Sequence, residues 1–225
     1  MRPKSARGFR RTGPFIVLLV VAAVIVFVMV GFPGGRVLLG QLIVRVDPPP
    51  DTTSPKAHDF AAAAAKQVGV TVSYDASYVQ LAYPGGDVPL ETGVCTDVVV
   101  RAMREMGTDL QVEIHEDMAA AFGEYPRTWG LSEPDPNIDH RRVPNLRVYF
   151  DRLGKSLPVT SVAADYQPGD IVTWKMPGGR PHVGIVSEKQ ASGENRFAII
   201  HNAGRGTRVE DVLVAFTITG HYRPF

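Results

Sequence analysis

The apolar positions change pattern three times along the chain. Phe15 to Phe32 (FIVLLVVAAVIVFVMVGF) is an unbroken apolar run of eighteen residues without a charge. At about 1.5 Å per residue it reaches across a bilayer core, and it is longer than the apolar stretch of a usual signal peptide. The middle of the chain then carries helical patterns. His58 to Val68 (HDFAAAAAKQV) is rich in strong helix formers and ends at Gly69. Val94, Val98, Ala102 and Met106 recur every four residues with Val99 and Met103 beside them, so one stripe of a helix is apolar. Thr92 can cap its start, and Gly107 can close it in the left-handed conformation. Val70 to Tyr74 alternates like a strand, and Tyr83 to Asp87 reads as a turn. Leu110 to Ile114 alternates weakly, His115 to Phe122 looks helical, and Pro144 to Leu153 is a helix stopped by Gly154. The last third has period two: Ile171 to Lys175, His182 to Glu188, Arg196 to His201, and Val212 to Thr219, with glycine-rich and polar turns between. Helices followed by an antiparallel sheet indicate an α+β domain.

Charge sets the expected topology. Arg2, Lys4, Arg7, Arg10 and Arg11 precede the apolar run, and the first acid is Asp47. No small-x-small cleavage site follows the run. The run is therefore expected to be an uncleaved signal anchor, with its basic flank cytoplasmic and everything after Gly35 outside. A cleaved signal peptide would leave the globular part in the same compartment. Asp47 to Pro55 is a proline-rich linker, and the 170 residues from Lys56 to Phe225 suffice for one domain with its own core. Setting aside the five N-terminal cations leaves 19 Lys and Arg against 23 Asp and Glu, about −4. A mildly acidic exported domain is a poor candidate for nucleic acid. The sequence has no HExxH, no paired CxxC and no phosphate-cradling glycine loop, so neither a metal, a nucleotide nor another cofactor is implied.

The candidate chemistry centres on Cys95, the single cysteine. The helix pattern puts it in a first turn, where backbone N–H groups lower a thiol pKa; a small buried hydrophobe is the plain alternative. If the strands flanking Gln190 to Asn195 form a hairpin with paired numbers summing to 383, His182 faces His201 with Cβ atoms about 4.5–5.5 Å apart. Phe197 and Ile199 then share their face and pack against the Val98 and Met103 stripe. Gly184 leaves room for that helix. A sum of 384 would bring Asn202 opposite His182 instead. Docking the helix start against this edge assembles a nucleophile, a base and an orienter.

These residues carry a resemblance. A cysteine at a helix start, a PGDIV strand, HVGIV and a strand ending in histidine resemble the papain-like NlpC-type cell-wall peptidases. GVCTDVVVRAMR, PDPNIDHRRVPNL, PGDIVTWK, HVGIVSE, IIHNAG and EDVL…ITGHYR resemble, more specifically, the bacterial domain-of-unknown-function 1287 family over Lys56 to Phe225. The chain departs from NlpC-type enzymes at Thr96-Asp97, where they carry Ser-Gly. The resemblance implies a papain-like fold with Cys95 as nucleophile, His182 as base and His201 as third residue. His182 would take the thiol proton, and the thiolate would attack an amide carbonyl. Backbone N–H groups at the helix start would hold the oxyanion.

Further residues are candidates for substrate binding. Asp97 either takes a site role or pairs with Arg101 four residues on. Asp139, His140, Arg141 and Arg142 cluster in a loop that either binds a substrate carboxylate or holds ordinary salt bridges. Asn202 is the alternative orienter. The expected protein is a membrane-anchored cysteine hydrolase on the outer face of the membrane, acting on an amide bond of peptidoglycan. An acyl or peptidyl transferase with the same site, and a catalytically silent module binding wall peptides or a protein, are the alternatives.

Overall fold

A computed structural model of the chain describes residues 52–225. The expected signal anchor at 15–32 and most of the linker lie outside them. Among the described residues no helix is long and apolar enough to cross a membrane.

The first helix, α1 (Pro55–Ala65), starts three residues before the alanine-rich pattern does, because Ser54 caps it by accepting the Ala57 N–H at 3.2 Å. Its proline stands where a helix has no N–H partner to lose. The cysteine helix, α2 (Cys95–Glu105), buries the expected stripe, but its N-cap is Val94 rather than Thr92. The Thr92 hydroxyl donates to Pro89 O instead. Gly107 closes the helix at φ +86°, with Thr108 N–H returning to Met103 O at 2.9 Å.

The expected strand at Leu110 to Ile114 is a correction: those residues open α3 (Leu110–Ala121), where Asp109 accepts the Gln111 N–H at 3.2 Å. A capped helix start outweighs a weak alternation. Helix α4 (Val143–Arg152) follows as expected, one residue early. Val70 to Tyr74 is also corrected, since it joins no sheet. Its backbone is satisfied by the loop before α2: Val72 and Ser73 N–H bond Glu91 O, and Asp75 N–H bonds Gly93 O at 3.2 Å. Val70 and Val72 remain exposed, so the alternation has no core to face.

Six strands follow, β1 (Ser156–Leu157), β2 (Ile171–Lys175), β3 (Pro181–Gln190), β4 (Phe197–Asn202), β5 (Thr207–Glu210) and β6 (Thr217–Tyr222). They form one antiparallel sheet in the order β1-β6-β2-β3-β4-β5. The strand expected at Val212 to Thr219 begins later, because Leu213 is buried in a turn closed by Ala215 N–H to Val212 O. β5 carries no apolar alternation; it is a charged edge held by its ladder to β4.

Alternation along the strands divides the core. Ile171, Val183, Ile185, Ile200 and Tyr222 pack with Val98, Val99, Met103 and Phe150 of the helices. On the other face Val172, Trp174, Val186, Phe197 and Ile199 pack with Tyr166 and Leu213. The β3–β4 register is Ile185 opposite Ile200 and Val186 opposite Ile199. It is displaced by two residues from the expected pairing, because a bulge between Val186 and Gln190 absorbs residues near the loop. A shift of two preserves which side chains share a face. The expected packing does not survive: Phe197 and Ile199 lie on the face away from α2, which rests on Val183 and Ile200.

Gly184 also has a different reason to be glycine. A Cβ there would meet Ile199 Cγ2 at 2.6 Å and His201 Cβ at 3.1 Å, across the strand rather than under a helix. Gly184→Ala should therefore destabilise the fold by about 1–3 kcal/mol, read as a lower urea midpoint. An unchanged midpoint would mean that β4 yields freely.

Candidate active site

Cys95 is the first residue of α2 and a free, buried thiol. Nearby backbone N–H groups, of Val183 first and then of Thr96 and Cys95 itself, favour the thiolate. Burial outweighs them, and the nearby Asp97 carboxylate adds to it, so the thiol is pushed up to about 11. This corrects the expectation of a thiol activated by its helix start. The N-terminal dipole is present, but the sulfur has lost its water.

Asp97 does not pair with Arg101, which instead clamps Asp87 through Nε at 2.9 Å and Nη2 at 3.1 Å. Asp97 takes Arg141 bidentately, Nε to Oδ1 and Nη2 to Oδ2, both at 3.0 Å. Its Oδ2 also accepts the Val94 N–H at 2.7 Å, capping α2. Arg141 reaches on to the carbonyls of Asp75 and Ser77. Asp139 and His140 are buried in the same single-turn helix, Asp139–Arg141. The Asp139 carboxylate accepts the Asp135 N–H at 2.6 Å, and burial holds its pKa up. Burial lowers His140 to about 4. Of this cluster, Arg141 and Arg142 line the cavity beside Cys95, and Asp139 and His140 do not.

The two expected histidines meet. His182 Nε2 lies 2.8 Å from His201 Nδ1, with rings nearly perpendicular. Both are buried, at 3% and 2% exposure. His182 stands opposite Trp174 on β2. Burial first, then His201 and Arg180, lower His182 to about 3; burial lowers His201 as well, against Glu210, which raises it. Asn202 points to the other face, where its Nδ2 donates to Ser73 O and Gly93 O at 3.0 Å each. It ties the segment before α2 to the sheet. Among the described residues no hydrogen bond joins Cys95 to His182.

Two hollows that share lining residues lie at these groups. One, about 260 Å³, is bounded by Cys95, Val94, Trp129, Arg141, Arg142 and Pro144, at the small end for ligand pockets. The other, about 130 Å³, is bounded by His182, Met176, Ala203 and Gly204. Tyr74, Arg180 and Pro181 line both. These lining residues were not identified from sequence. Arg142 stacked at 4.2 Å on the exposed Trp129 ring has no local sequence signature. Among the described residues no group of three or more His, Cys, Asp or Glu is placed to hold a metal.

Comparison with known proteins gives three findings. The family described as Domain of unknown function (DUF1287) matches residues 61–224. Uncharacterized protein YijF of Escherichia coli (strain K12) is 52% identical over 166 residues, covering 74% of this chain and 80% of that protein. The structure of NlpC1 from Trichomonas vaginalis superposes with a TM-score of 0.41 at 14% identity, covering 78% of this chain. The chain spans 46% of the length of that solved structure.

Two outcomes follow from these environments. Iodoacetamide, which reports on the single cysteine, should alkylate the folded protein slowly at neutral pH and faster as pH climbs toward about 11; rapid reaction at neutral pH would contradict a desolvated thiol. The histidines bear on acid stability. His140, His182 and His201 have folded pKa values below the ordinary 6.5. The unfolded chain therefore binds protons first, and their contribution, present above 6.5, is lost as pH falls toward about 3 to 4. His140 and His182 should each cost about 1 kcal/mol between pH 6.5 and about 5.5, with His201 acting in the same direction, measurable as a falling denaturation midpoint. A midpoint flat across that range would mean the histidines are not held neutral.

Proposed function

This chain belongs to the DUF1287 family, and we propose that it is a membrane-anchored, papain-like cysteine hydrolase that cleaves an amide bond of cell-wall peptidoglycan. The observation that carries the reading is the buried His182–His201 contact at 2.8 Å, formed where β3 meets the N-terminus of the helix that bears the single cysteine. The backbone N–H of Val183, the residue after His182, is near enough to Cys95 to favour its thiolate. Tyr74, Arg180 and Pro181 line both the Cys95 cavity and the His182 hollow, so a substrate spanning the two meets thiol and imidazole. Catalytic hydrogen bonds are often unmade before substrate binds.

The steps use only this chain's groups and water. His182 takes the thiol proton, and sulfur bonds to the amide carbonyl carbon. The oxyanion is held by N–H groups at the start of α2. The C–N bond breaks as His182 gives its proton to the leaving amine. Water, deprotonated by His182, then attacks the thioester, and the sulfur leaves as thiolate and regains the proton. The location follows from the N-terminal apolar run and its basic flank, which make wall polymer the abundant amide within reach.

One observation favours a second reading, a catalytically silent module that binds wall peptides: the thiol is held neutral and makes no hydrogen bond to His182 among the described residues. Full-length protein in detergent, incubated with purified sacculi, separates the two. Release of defined fragments, identified by mass spectrometry and abolished in Cys95→Ala, supports hydrolysis. Sedimentation with sacculi, equal for wild type and Cys95→Ala and without release, supports binding alone. If hydrolysis is seen, His201→Ala should lower turnover by roughly 10²-fold or more. Asn202→Ala should act mainly through stability, since its amide braces Ser73 and Gly93.

A further inference from the structure

Glu210 touches the histidine pair from the side opposite His182. It stands on β5, facing Ile199 across the ladder, two residues beyond Arg208, which faces His201. Strand alternation therefore sets the Glu210 side chain on the His201 face. Its Oε2 lies 3.0 Å from His201 Nε2, an ionic contact whose angle falls short of a good hydrogen bond. Arg205 and Arg208 border the same small hollow, yet among the described residues no other ion pair engages Glu210.

The consequence is one of proton placement. A neutral imidazole has one N–H and one bare nitrogen. At 2.8 Å, one of His182 Nε2 and His201 Nδ1 must donate and the other accept. If His201 donates from Nδ1, neutral His182 carries its own proton on Nδ1 and has no nitrogen left to receive another. If His182 donates from Nε2, its Nδ1 is bare. A carboxylate at His201 Nε2 is satisfied by a proton on Nε2, which leaves Nδ1 of His201 as the acceptor. Carboxylates set the tautomer of metal-binding histidines in this way.

We propose that Glu210 is the positioning residue of this site: it holds the His201 proton on Nε2, so that His182 donates from Nε2 and presents a bare Nδ1 as the base. The proposal rests on the reading of Cys95, His182 and His201 as a reactive set. Glu210 neither gives nor takes a proton in the cycle. When His182 becomes an imidazolium, its Nε2–H stays on His201, and the Glu210 charge at the end of the chain stabilises it.

Nitrogen-15 shifts of the imidazoles in the full-length, histidine-labelled protein test this, because protonated and bare ring nitrogens resonate far apart. The six histidines are assigned with His182→Asn and His201→Asn. Wild type should show both His182 and His201 protonated on Nε2 and bare on Nδ1. Glu210→Ala should move a measurable fraction of both to the Nδ1 tautomer, with Glu210→Asp restoring part of the wild-type balance. A purely structural Glu210 would change the denaturation midpoint and leave the tautomers in place. Wild-type His182 protonated on Nδ1, or tautomers indifferent to Glu210→Ala, overturns the proposal whatever the sacculus assay gives. Tautomers that follow Glu210 while sacculi stay intact uphold this proton placement and remove the hydrolase reading instead.

Discussion

With its carboxylate sealed from solvent, Asp97 must direct both oxygens at protein donors, and those donors come from separate segments. The Val94 N–H caps α2, and Arg141 brings in the single-turn helix at Asp139–Arg141. Through Arg141 the pair also reaches the carbonyls of Asp75 and Ser77. Removing one partner from such a buried pair leaves a stranded charge, worth about 3–5 kcal/mol. The turn bearing Cys95 and the walls of its cavity are therefore held as one unit. The same carboxylate helps keep the thiol protonated, so the interaction that builds the cleft also disfavours the thiolate beside it.

The sheet imposes the second constraint. Side chains alternate, so β3 presents Val183 to the helices and His182 to the opposite face, while β4 presents Ile200 and Asn202 one way and Ile199 and His201 the other. Asn202 locks the segment before α2 onto the sheet, and His201 meets His182. Adjacent residues thus serve opposite faces of the sheet. Desolvation then acts in opposite directions, raising the thiol and lowering the imidazoles. Each group rests in its neutral form.

Local pattern carried the reading where one physical term dominated. The α2 stripe, Gly107 as its stop and strand β2 were legible because burial of one face and a positive φ are written in a few neighbouring residues. The sequence left two parities open for the partner of His182, and the packing of Phe197 and Ile199 against α2 that favoured His201 does not hold; the pairing still forms because an even register shift keeps both histidines on one face. The exact register was not legible, because a bulge between Val186 and Gln190 depends on how the loop closes. Val70 to Tyr74 failed for the opposite reason: alternation reports a half-buried strand only when a core lies beneath it.

By itself, then, the sequence determined the α+β order, the place of Cys95 at a helix start, and which histidines could share a face, because each follows from periodicity within a short window. Tertiary structure decided what the groups are at rest. Whether Asp97 pairs with Arg101 or Arg141, whether Cys95 sits in water, and whether a carboxylate reaches His201 depend on segments far apart in the chain. Solvent exclusion and charge pairing sum over every neighbour in space, and no window of sequence contains them.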